Sequence, residues 1–196
     1  FGGFYRTEFY VHEARMVGAR MEEPCINRGH WEATVYPSEL RIYLGFNLVR
    51  GIEAQTVEAV MRNRAQCGPF ASLEDAIERL GLGLEQCLLL IRCGGFRFTD
   101  LSKQQLLWEA HFLLGHRSRS APEITLFAPE ARRFTLPALE SGILEDAFDQ
   151  IELFGFPLVS PFLLLTEEAQ AVAQRSVRSD ALSDCIGQTV EVVGYL

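Results

Sequence analysis

Residues 42–70, IYLGFNLVRGIEAQTVEAVMRNRAQCGPF, decide the fold of this chain because they predict two helices joined by a tight turn. The turn falls at residues 49–53, VRGIE, where Gly51 lets the backbone bend sharply and approach another surface closely. In the second helix, apolar side chains recur with the spacing of a buried helical face, at Val57, Val60 and Met61. The stretch therefore predicts an amphipathic helix that packs on the rest of the protein.

The start of this second helix is suited to a phosphate group, because its first N–H groups are free and lie beside a glycine turn. The pattern is similar to a helix-hairpin-helix, a module that binds the sugar-phosphate backbone of DNA without reading its bases. Four arginines bracket the turn, namely Arg41, Arg50, Arg62 and Arg64. The alternative is an ordinary pair of helices in which Gly51 only makes the turn.

A second helix pair follows and repeats the order of the first. Residues 73–80 predict its first helix, residues 81–83 its glycine turn and residues 84–93 its second helix, with Ser72 as the N-cap. Such a repeat favours tandem hairpins over a single chance pair. The second turn carries no arginine and is flanked by leucines, which indicates packing rather than binding.

Composition limits the functions that the chain can have. Its 196 residues are 48% hydrophobic, which suits a packed core, and no apolar run is long enough to span a membrane. The net charge of −8 argues against indiscriminate nucleic-acid binding, so any contact with DNA must be local. The five cysteines show no paired or zinc-ligand spacing. We therefore expect a cytoplasmic protein with reduced thiols, and the absence of an initiating methionine indicates an interior piece of a longer protein.

The candidate catalytic and metal-binding residues do not form a site. His12 and Glu13 are adjacent in a predicted helix, so their side chains point about 100° apart, and no third group is evident. His111 and His116 are five residues apart and do not share a helical face. We assign no catalytic residue, no metal ligand and no cofactor within the chain.

Other segments surround the hairpins. Before the hairpins, a helix begins near Thr7 and ends at Gly18, and a short irregular or hairpin segment runs from Trp31 to Tyr43. After them come a helix from Lys103 to Leu114, a polar linker over 116–133 that docks through Leu126 and Phe127, a helix over 145–156, and an alternating strand over 188–194.

Taken together, these segments resemble the alpha subunit of bacterial DNA polymerase III, a C-family polymerase, in the region that follows its catalytic core. The resemblance covers nearly the whole chain and rests on motifs whose order and spacing match the family. They are Phe4-Tyr5 with Gly18 at the end of the fingers region, Leu44-Gly45-Phe46 with Arg50-Gly51-Ile52 in the first hairpin, Leu90-Ile91 with Gly94-Gly95-Phe96 in the second, Ile151 to Phe156 before the OB domain, and Gly187 to Tyr195 in the first strand of that domain.

The resemblance implies a DNA-directed DNA polymerase that adds deoxynucleotides with metal ions, expected to be Mg²⁺, held by carboxylates. In that family the metal-binding aspartates lie upstream of the segment resembled here, so this chain would not contain them. Its expected role is to hold double-stranded DNA, with Arg50 and the backbone around Gly51 and Ile52 at the phosphates. Arg62 and Arg64 complete the predicted DNA-binding set. Other polymerase subunits, such as the sliding clamp, are the further expected partners.

Glu53 departs from the family pattern, which usually has a second glycine there, and a carboxylate beside a phosphate is repulsive. The alternative function is a structural connector between the fingers and the OB domain, with little DNA affinity of its own. The four arginines around the first turn distinguish the two functions. Clustering on one face favours DNA binding, and scattering favours the connector.

The predicted fold class is mainly α. A tandem helix-hairpin-helix module has short β segments on its N-terminal side and the first strand of a truncated OB-like domain at its C-terminus. The predicted domains are residues 1–37 for the end of the fingers, 38–117 for the tandem hairpins, 118–180 for a linker and connecting helix, and 181–196 for the start of the OB-fold.

Overall fold

The structure, a computed structural model, describes residues 4–117 and 142–194. These residues are mainly helical with one small sheet, which confirms the predicted fold class. They divide into two compact units, Phe1–Leu158 and Val159–Leu196, and each is described here by itself. The predicted four-part division stays a prediction, and the proposed docking residues Leu126 and Phe127 lie outside the described residues.

The first unit begins with a helix and a three-stranded sheet. Helix α1 covers Thr7–Met16, and Gly18 follows it with φ +92°, as the sequence predicts. The strands are β1 (Arg20–Glu22), β2 (Thr34–Tyr36) and β3 (Arg41–Tyr43). Strand β3 lies in the middle and pairs parallel with β1 and antiparallel with β2.

The prediction that an α-helix precedes the first hairpin turn is wrong. Residues 42 and 43 belong to β3, and only a short 3-10 turn, Phe46–Leu48, precedes the hairpin turn. The reason is that Ile42 lies between Met21 of β1 and Val35 of β2, where a β-branched residue suits a sheet. Gly45, which follows, packs tightly against the backbone of Trp31. A Cβ at Gly45 would lie 2.5 Å from the Trp31 carbonyl oxygen.

Four helices follow, and the middle two confirm the second predicted helix pair. They are α2 (Ala54–Cys67), α3 (Leu73–Leu80), α4 (Leu84–Arg92) and α5 (Lys103–Arg117). Val57 and Val60 are each 1% exposed, which confirms the buried face of α2. Ser72 caps α3, since its Oγ accepts from the Asp75 N–H over 3.1 Å, and Gly81 ends the same helix with φ +62°.

One hydrophobic core joins these elements to a further helix, α6 (Ile143–Phe154), which Gly155 ends with φ +89°. The largest side chains in this core are nearly inaccessible to solvent; they are Phe46, Phe96, Ile26, Leu73, Ile77, Leu90 and Ile91. Leu153 and Phe154 of α6 belong to the same core, so the hairpins and α6 form a single packed body.

The second unit contains a 3-10 turn (Pro161–Leu164), helix α7 (Glu167–Arg175) and a longer 3-10 segment (Ser179–Cys185). The strand predicted over residues 188–194 is not formed. Alternating side chains need a neighbouring strand to complete the backbone hydrogen bonds, and none of the described segments of this unit is a strand. The Val177 N–H donates to the Glu191 carbonyl over 2.9 Å. Across the described residues, no helix is long and apolar enough to cross a membrane.

Candidate nucleic-acid interface

The first hairpin turn has the geometry that Gly51 predicts. The Ile52 N–H donates to the Val49 carbonyl over 3.3 Å, and Gly51 has φ +81°. A side chain at Gly51 would meet Leu89 at an ordinary contact distance of 3.4 Å. The glycine is therefore required by the left-handed backbone conformation rather than by lack of space.

The side chain of Gln86 on α4 forms hydrogen bonds with the backbone of this turn. Its Oε1 accepts from the Glu53 N–H over 2.9 Å, and its Nε2 donates to the Gly51 carbonyl over 3.1 Å. The Gln86 side chain is buried, so these bonds satisfy a polar group that would otherwise be costly to bury. The sequence analysis missed Gln86, although a glutamine beside the apolar run from Cys87 to Ile91 was a usable signal.

Arg50 caps helix α6. Its backbone N–H donates to the Leu153 carbonyl over 2.9 Å, and its guanidinium Nη1 donates to the Glu152 carbonyl over 3.3 Å. Carbonyls in the last turn of a helix have no partner within the helix, and the partial negative charge there favours a cation. Arg50 therefore stabilises the end of a neighbouring helix, while its side chain stays exposed.

The other three arginines around the turn have different surroundings. The half-buried Arg64 donates from Nη1 to the carbonyls of Ile26, over 2.7 Å, and Gly29, over 3.0 Å. Arg41 on β3 forms ion pairs with carboxylates near the sheet, and Arg62 is exposed on α2. Arg41 and Arg64 thus contact different partners, and the clustering of the arginines on one face stays a prediction.

The surface between the two hairpin turns is acidic. Residues from both hairpins line a groove of about 420 Å³, and Glu53 and Glu85 are among them. Glu58 is also exposed, one turn further along α2. The Ile52 side chain is half-buried and packs against the core, so a phosphate would contact the backbone of this residue rather than its side chain. Among the predicted DNA-binding residues, Gly51 and Arg62 are exposed.

Basic side chains do gather elsewhere, where α6 packs against the ends of α4 and α5. Arg92 pairs with Asp149 over 2.7 Å and with Glu152 over 2.5 Å. Lys103 pairs with Asp146 over 2.5 Å and with Asp149 over 2.7 Å. Hydrogen bonds to Glu152 and then to Asp149 raise the pKa of Arg92 against the opposing effect of burial. For Lys103, burial lowers the pKa but the hydrogen bonds to Asp146 and Asp149 outweigh it, so the pKa is raised.

A buried carboxylate extends this cluster. Glu23 is 5% exposed, and burial raises the pKa of its carboxyl although Arg97 lies 2.5 Å away and opposes the shift. Gln150 of α6 donates to the same carboxylate, and its own Oε1 accepts from the Leu158 N–H over 2.6 Å. A Cβ on Gly94 would collide with the Glu23 carboxylate, and Gly94 has φ +85°, so both space and backbone conformation favour glycine there.

Within residues 4–117 and 142–194, no group of three or more His, Cys, Asp or Glu side chains is arranged to hold a metal ion. Two of the candidates considered from the sequence, His12 and Glu13, lie on α1, where His12 Nε2 is 3.7 Å from Glu8 Oε1. The assignment of no catalytic residue to this chain stays a prediction.

Comparison with known proteins identifies relatives. The family model of the helix-hairpin-helix motif matches residues 18–106. An error-prone DNA polymerase of Mycobacterium bovis is 32% identical over 108 residues, which are 55% of this chain and 10% of that protein. Those of Allorhizobium ampelinum and Corynebacterium efficiens are each 28% identical, over 136 and 152 residues, or 67% and 74% of this chain and 12% and 14% of those proteins.

The chain spans about a tenth of the length of these curated relatives. The matched region contains the sheet, both hairpins and the start of α5. The chain therefore carries a helix-hairpin-helix domain and, over about half its length, is homologous to bacterial error-prone DNA polymerases, which confirms the family that its sequence indicated.

Proposed function

We propose that this chain is a segment of a bacterial DNA-directed DNA polymerase of the error-prone kind, and that it serves there as a rigid connector. The identity to curated error-prone DNA polymerases supports the parent enzyme. That enzyme would extend DNA with Mg²⁺ ions held by aspartates outside this segment, and subunits such as a sliding clamp would be its partners. The connector is the role that the geometry of the segment supports best.

One observation carries the connector. Two of the arginines predicted to bind DNA, Arg50 and Arg64, donate to main-chain carbonyls of other elements. A hydrogen bond from a charged donor contributes about 1.5 to 3 kcal/mol to stability, and a phosphate would have to replace that contribution before adding any affinity. These arginines therefore hold α6, α2 and the loop over 26–29 in fixed positions.

Charge supports the same role. A phosphate at the first turn would approach Glu53, and two unit charges about 4 Å apart repel by about 1 kcal/mol in water and about 4 kcal/mol near a protein surface. That repulsion is as large as the gain from one charge-assisted hydrogen bond. With a net charge of −8, the chain as a whole adds no long-range attraction for DNA.

The second candidate is binding of duplex DNA through its backbone at the first hairpin, without sequence specificity. The exposed turn at Gly51 and the exposed Arg62 on α2 favour it, since both are accessible to a phosphate. In this role the segment would hold the duplex that leaves the active site of the parent polymerase.

Fluorescence anisotropy of a labelled duplex, measured over a salt series, separates the two candidates. The connector predicts weak binding and no change in the slope of log K against log salt for Arg50→Ala. Duplex binding at the first hairpin predicts that Arg50→Ala and Arg62→Ala each reduce the slope by about one unit. Glu58→Gln on the same helix is the matched control, because it changes the charge near the turn without removing a donor.

A further inference from the structure

A chain of contacts between polar groups runs through the first unit and ends at two arginines. Arg97 Nη2 lies 2.5 Å from Glu23 Oε2, and Gln150 Nε2 donates to Glu23 Oε1. Gln150 Oε1 accepts from the Leu158 N–H over 2.6 Å, and the Leu158 carbonyl accepts from Arg15 Nη2. The chain of contacts therefore connects β1, α6 and α1, which are remote from one another in sequence.

The middle of this chain is buried, so its contacts depend on one another. Glu23, Gln150 and Leu158 are 5%, 4% and 8% exposed, and water therefore has little access to replace a lost partner. The Gln150 amide serves both neighbours in one orientation, with its nitrogen toward the carboxylate and its oxygen toward the N–H group. Loss of the bond at Leu158 would leave the buried amide oxygen unpaired, which makes these contacts cooperative.

Apolar burial contributes little to the position of helix α1, so the last contact of the chain matters to it. Among the ten residues of α1, which the structure describes in full, only Val11 is buried, whereas Phe9 and Tyr10 are 44% and 51% exposed. Arg15 is half-buried, and burial lowers its pKa. The Leu158 carbonyl compensates the Arg15 guanidinium for hydration that it loses.

Leu158 lies at the end of the first unit. Its two main-chain groups are bound by different elements, the N–H by α6 and the carbonyl by α1. A displacement of this residue would break both bonds and remove the partner of Arg15. Detachment of α1 would in turn remove one of the two bonds that fix the end of the unit.

We propose that this chain of contacts is a conformational device that couples the docking of α1 to the position of the end of the first unit. In the closed state Arg15 and Gln150 hold Leu158, and α1 lies against β1. In the open state Leu158 is free, and α1 detaches while the core stays packed. The coupling is reciprocal, because a change that favours one state at either end favours it at the other. The device goes beyond the connector role, since it makes the rigidity of the connector conditional.

Amide hydrogen exchange, followed by NMR on the whole chain, tests the coupling. In Gln150→Met, which removes both bonds of the amide and keeps a side chain of similar size, we expect the amides of residues 11–16 to exchange about three to ten times faster. Within the described residues no hydrogen bond joins Gln150 to α1, so the effect would reach the helix through Leu158. The matched control is Leu153→Val, which perturbs the core packing of α6 outside the chain of contacts and should leave these amides unchanged within about twofold.

Arg15→Ala tests the coupling in the opposite direction. The Leu158 N–H is bonded to Gln150 and not to Arg15, and we expect its exchange to be about three to ten times faster in this variant. Glu13→Gln, at an exposed position of α1, should leave it unchanged. In the double variant Arg15→Ala/Gln150→Met, the amides of α1 should exchange no faster than in Arg15→Ala, because the chain of contacts is already open.

Circular dichroism and thermal unfolding establish that each variant folds, and if Gln150→Met does not, the exchange of the Leu158 N–H in Arg15→Ala decides by itself. Unchanged exchange of α1 in a folded Gln150→Met variant, or of the Leu158 N–H in Arg15→Ala, would overturn the proposal. Equal acceleration of α1 in Leu153→Val would overturn it as well, because general loosening of α6 would then account for the effect. None of these results concerns Arg50 or Arg64, so the connector role is tested separately.

Discussion

Two sets of basic residues in the first unit differ in what they contact. Arg50 and Arg64, near the first hairpin, donate to main-chain carbonyls, whereas Arg92 and Lys103, at the end of the second hairpin, pair with carboxylates. A carbonyl cannot be protonated, and its contact depends on backbone geometry alone. A carboxylate pair responds to pH, to salt and to competing anions. The first set therefore provides constant stability, and the second provides an attachment that can change.

The largest effect is expected at Gly94, which lies against the carboxylate of Glu23, the buried partner of Arg97. Gly94→Ala adds a Cβ that would collide with Glu23 Oε2, at a residue with φ +85°. We expect a loss of roughly 3 kcal/mol or more in the free energy of unfolding, from strain and overpacking together. Chemical denaturation measures it. Gly81→Ala is the control, since it has φ +62° with no atom within 4 Å, and a loss of roughly 1 kcal/mol is expected there. Equal losses at the two glycines would contradict the close approach.

Removal of a carbonyl contact tests the first set. Arg64→Ala leaves the Ile26 and Gly29 carbonyls without their donor, so we expect a loss of about 2 to 3 kcal/mol in the free energy of unfolding. Because carbonyls do not titrate, the loss should be the same at pH 5 and pH 8 in urea titrations. Arg62→Ala, on the exposed side of the same helix, should change stability by less than about 0.5 kcal/mol. A loss that depends strongly on pH would place Arg64 in the second set.

The buried carboxyl of Glu23, which pairs with Arg97, provides a test of how a carboxylate pair responds to pH. Its pKa is raised by burial, so the folded state binds the proton more tightly than the unfolded state does, and stability falls as pH rises above the ordinary pKa of 4.5. Glu23→Gln removes this titration. We expect the stability of the variant relative to the unmodified chain to increase between pH 4.5 and pH 7. Urea unfolding at several pH values measures this, and a difference that shrinks with rising pH would show that the pairing with Arg97 outweighs burial.

The smallest effect concerns salt. Raising the salt concentration from about 0.05 to about 0.5 M should speed amide hydrogen exchange a few-fold in the N-terminal half of α6, because screening weakens its ion pairs. The C-terminal half also carries ion pairs, at Asp149 and Glu152, but Leu153 and Phe154 hold it in the core, so its exchange should change less. Uniform acceleration along the helix would mean that both halves depend on the same contacts.

Local signals predicted much of the fold. The spacing of Val57 and Val60 located the buried face of α2, Ser72 located a capped helix start, and Gly18 and Gly155 located helix ends. These features depend on residues close in sequence, so a single chain reveals them. The order of motifs was enough to indicate the polymerase family.

The errors arose where distant partners decide the structure. Ile42 and Tyr43 fit a helix or a strand by themselves, and their pairing with β1 and β2 decides for the strand. The segment over 188–194 alternates like a strand, but none of the described strands lies in its unit. Tertiary pairing overrides local preference in such short segments.

The candidate site was harder to predict than the fold. The five residues predicted to bind DNA stay a prediction, and the direction of the Arg50 and Arg64 side chains depends on carbonyls of elements that are remote in sequence. The ion pairs of Lys103 could not be predicted for the same reason, since its partners Asp146 and Asp149 lie more than forty residues further along the chain. Charge counted along the chain cannot distinguish an arginine that meets solvent from one that caps a helix.

Hydrogen exchange in the last turn of α6 tests the central claim, that Arg50 serves the protein rather than a phosphate. In Arg50→Ala, the amides of residues 151–155 should exchange about three to ten times faster than in the unmodified chain, because the Glu152 carbonyl loses its guanidinium donor. Arg62→Ala should leave their exchange unchanged. Unchanged exchange in Arg50→Ala together with weakened duplex binding would contradict the account, and would place Arg50 at the DNA instead.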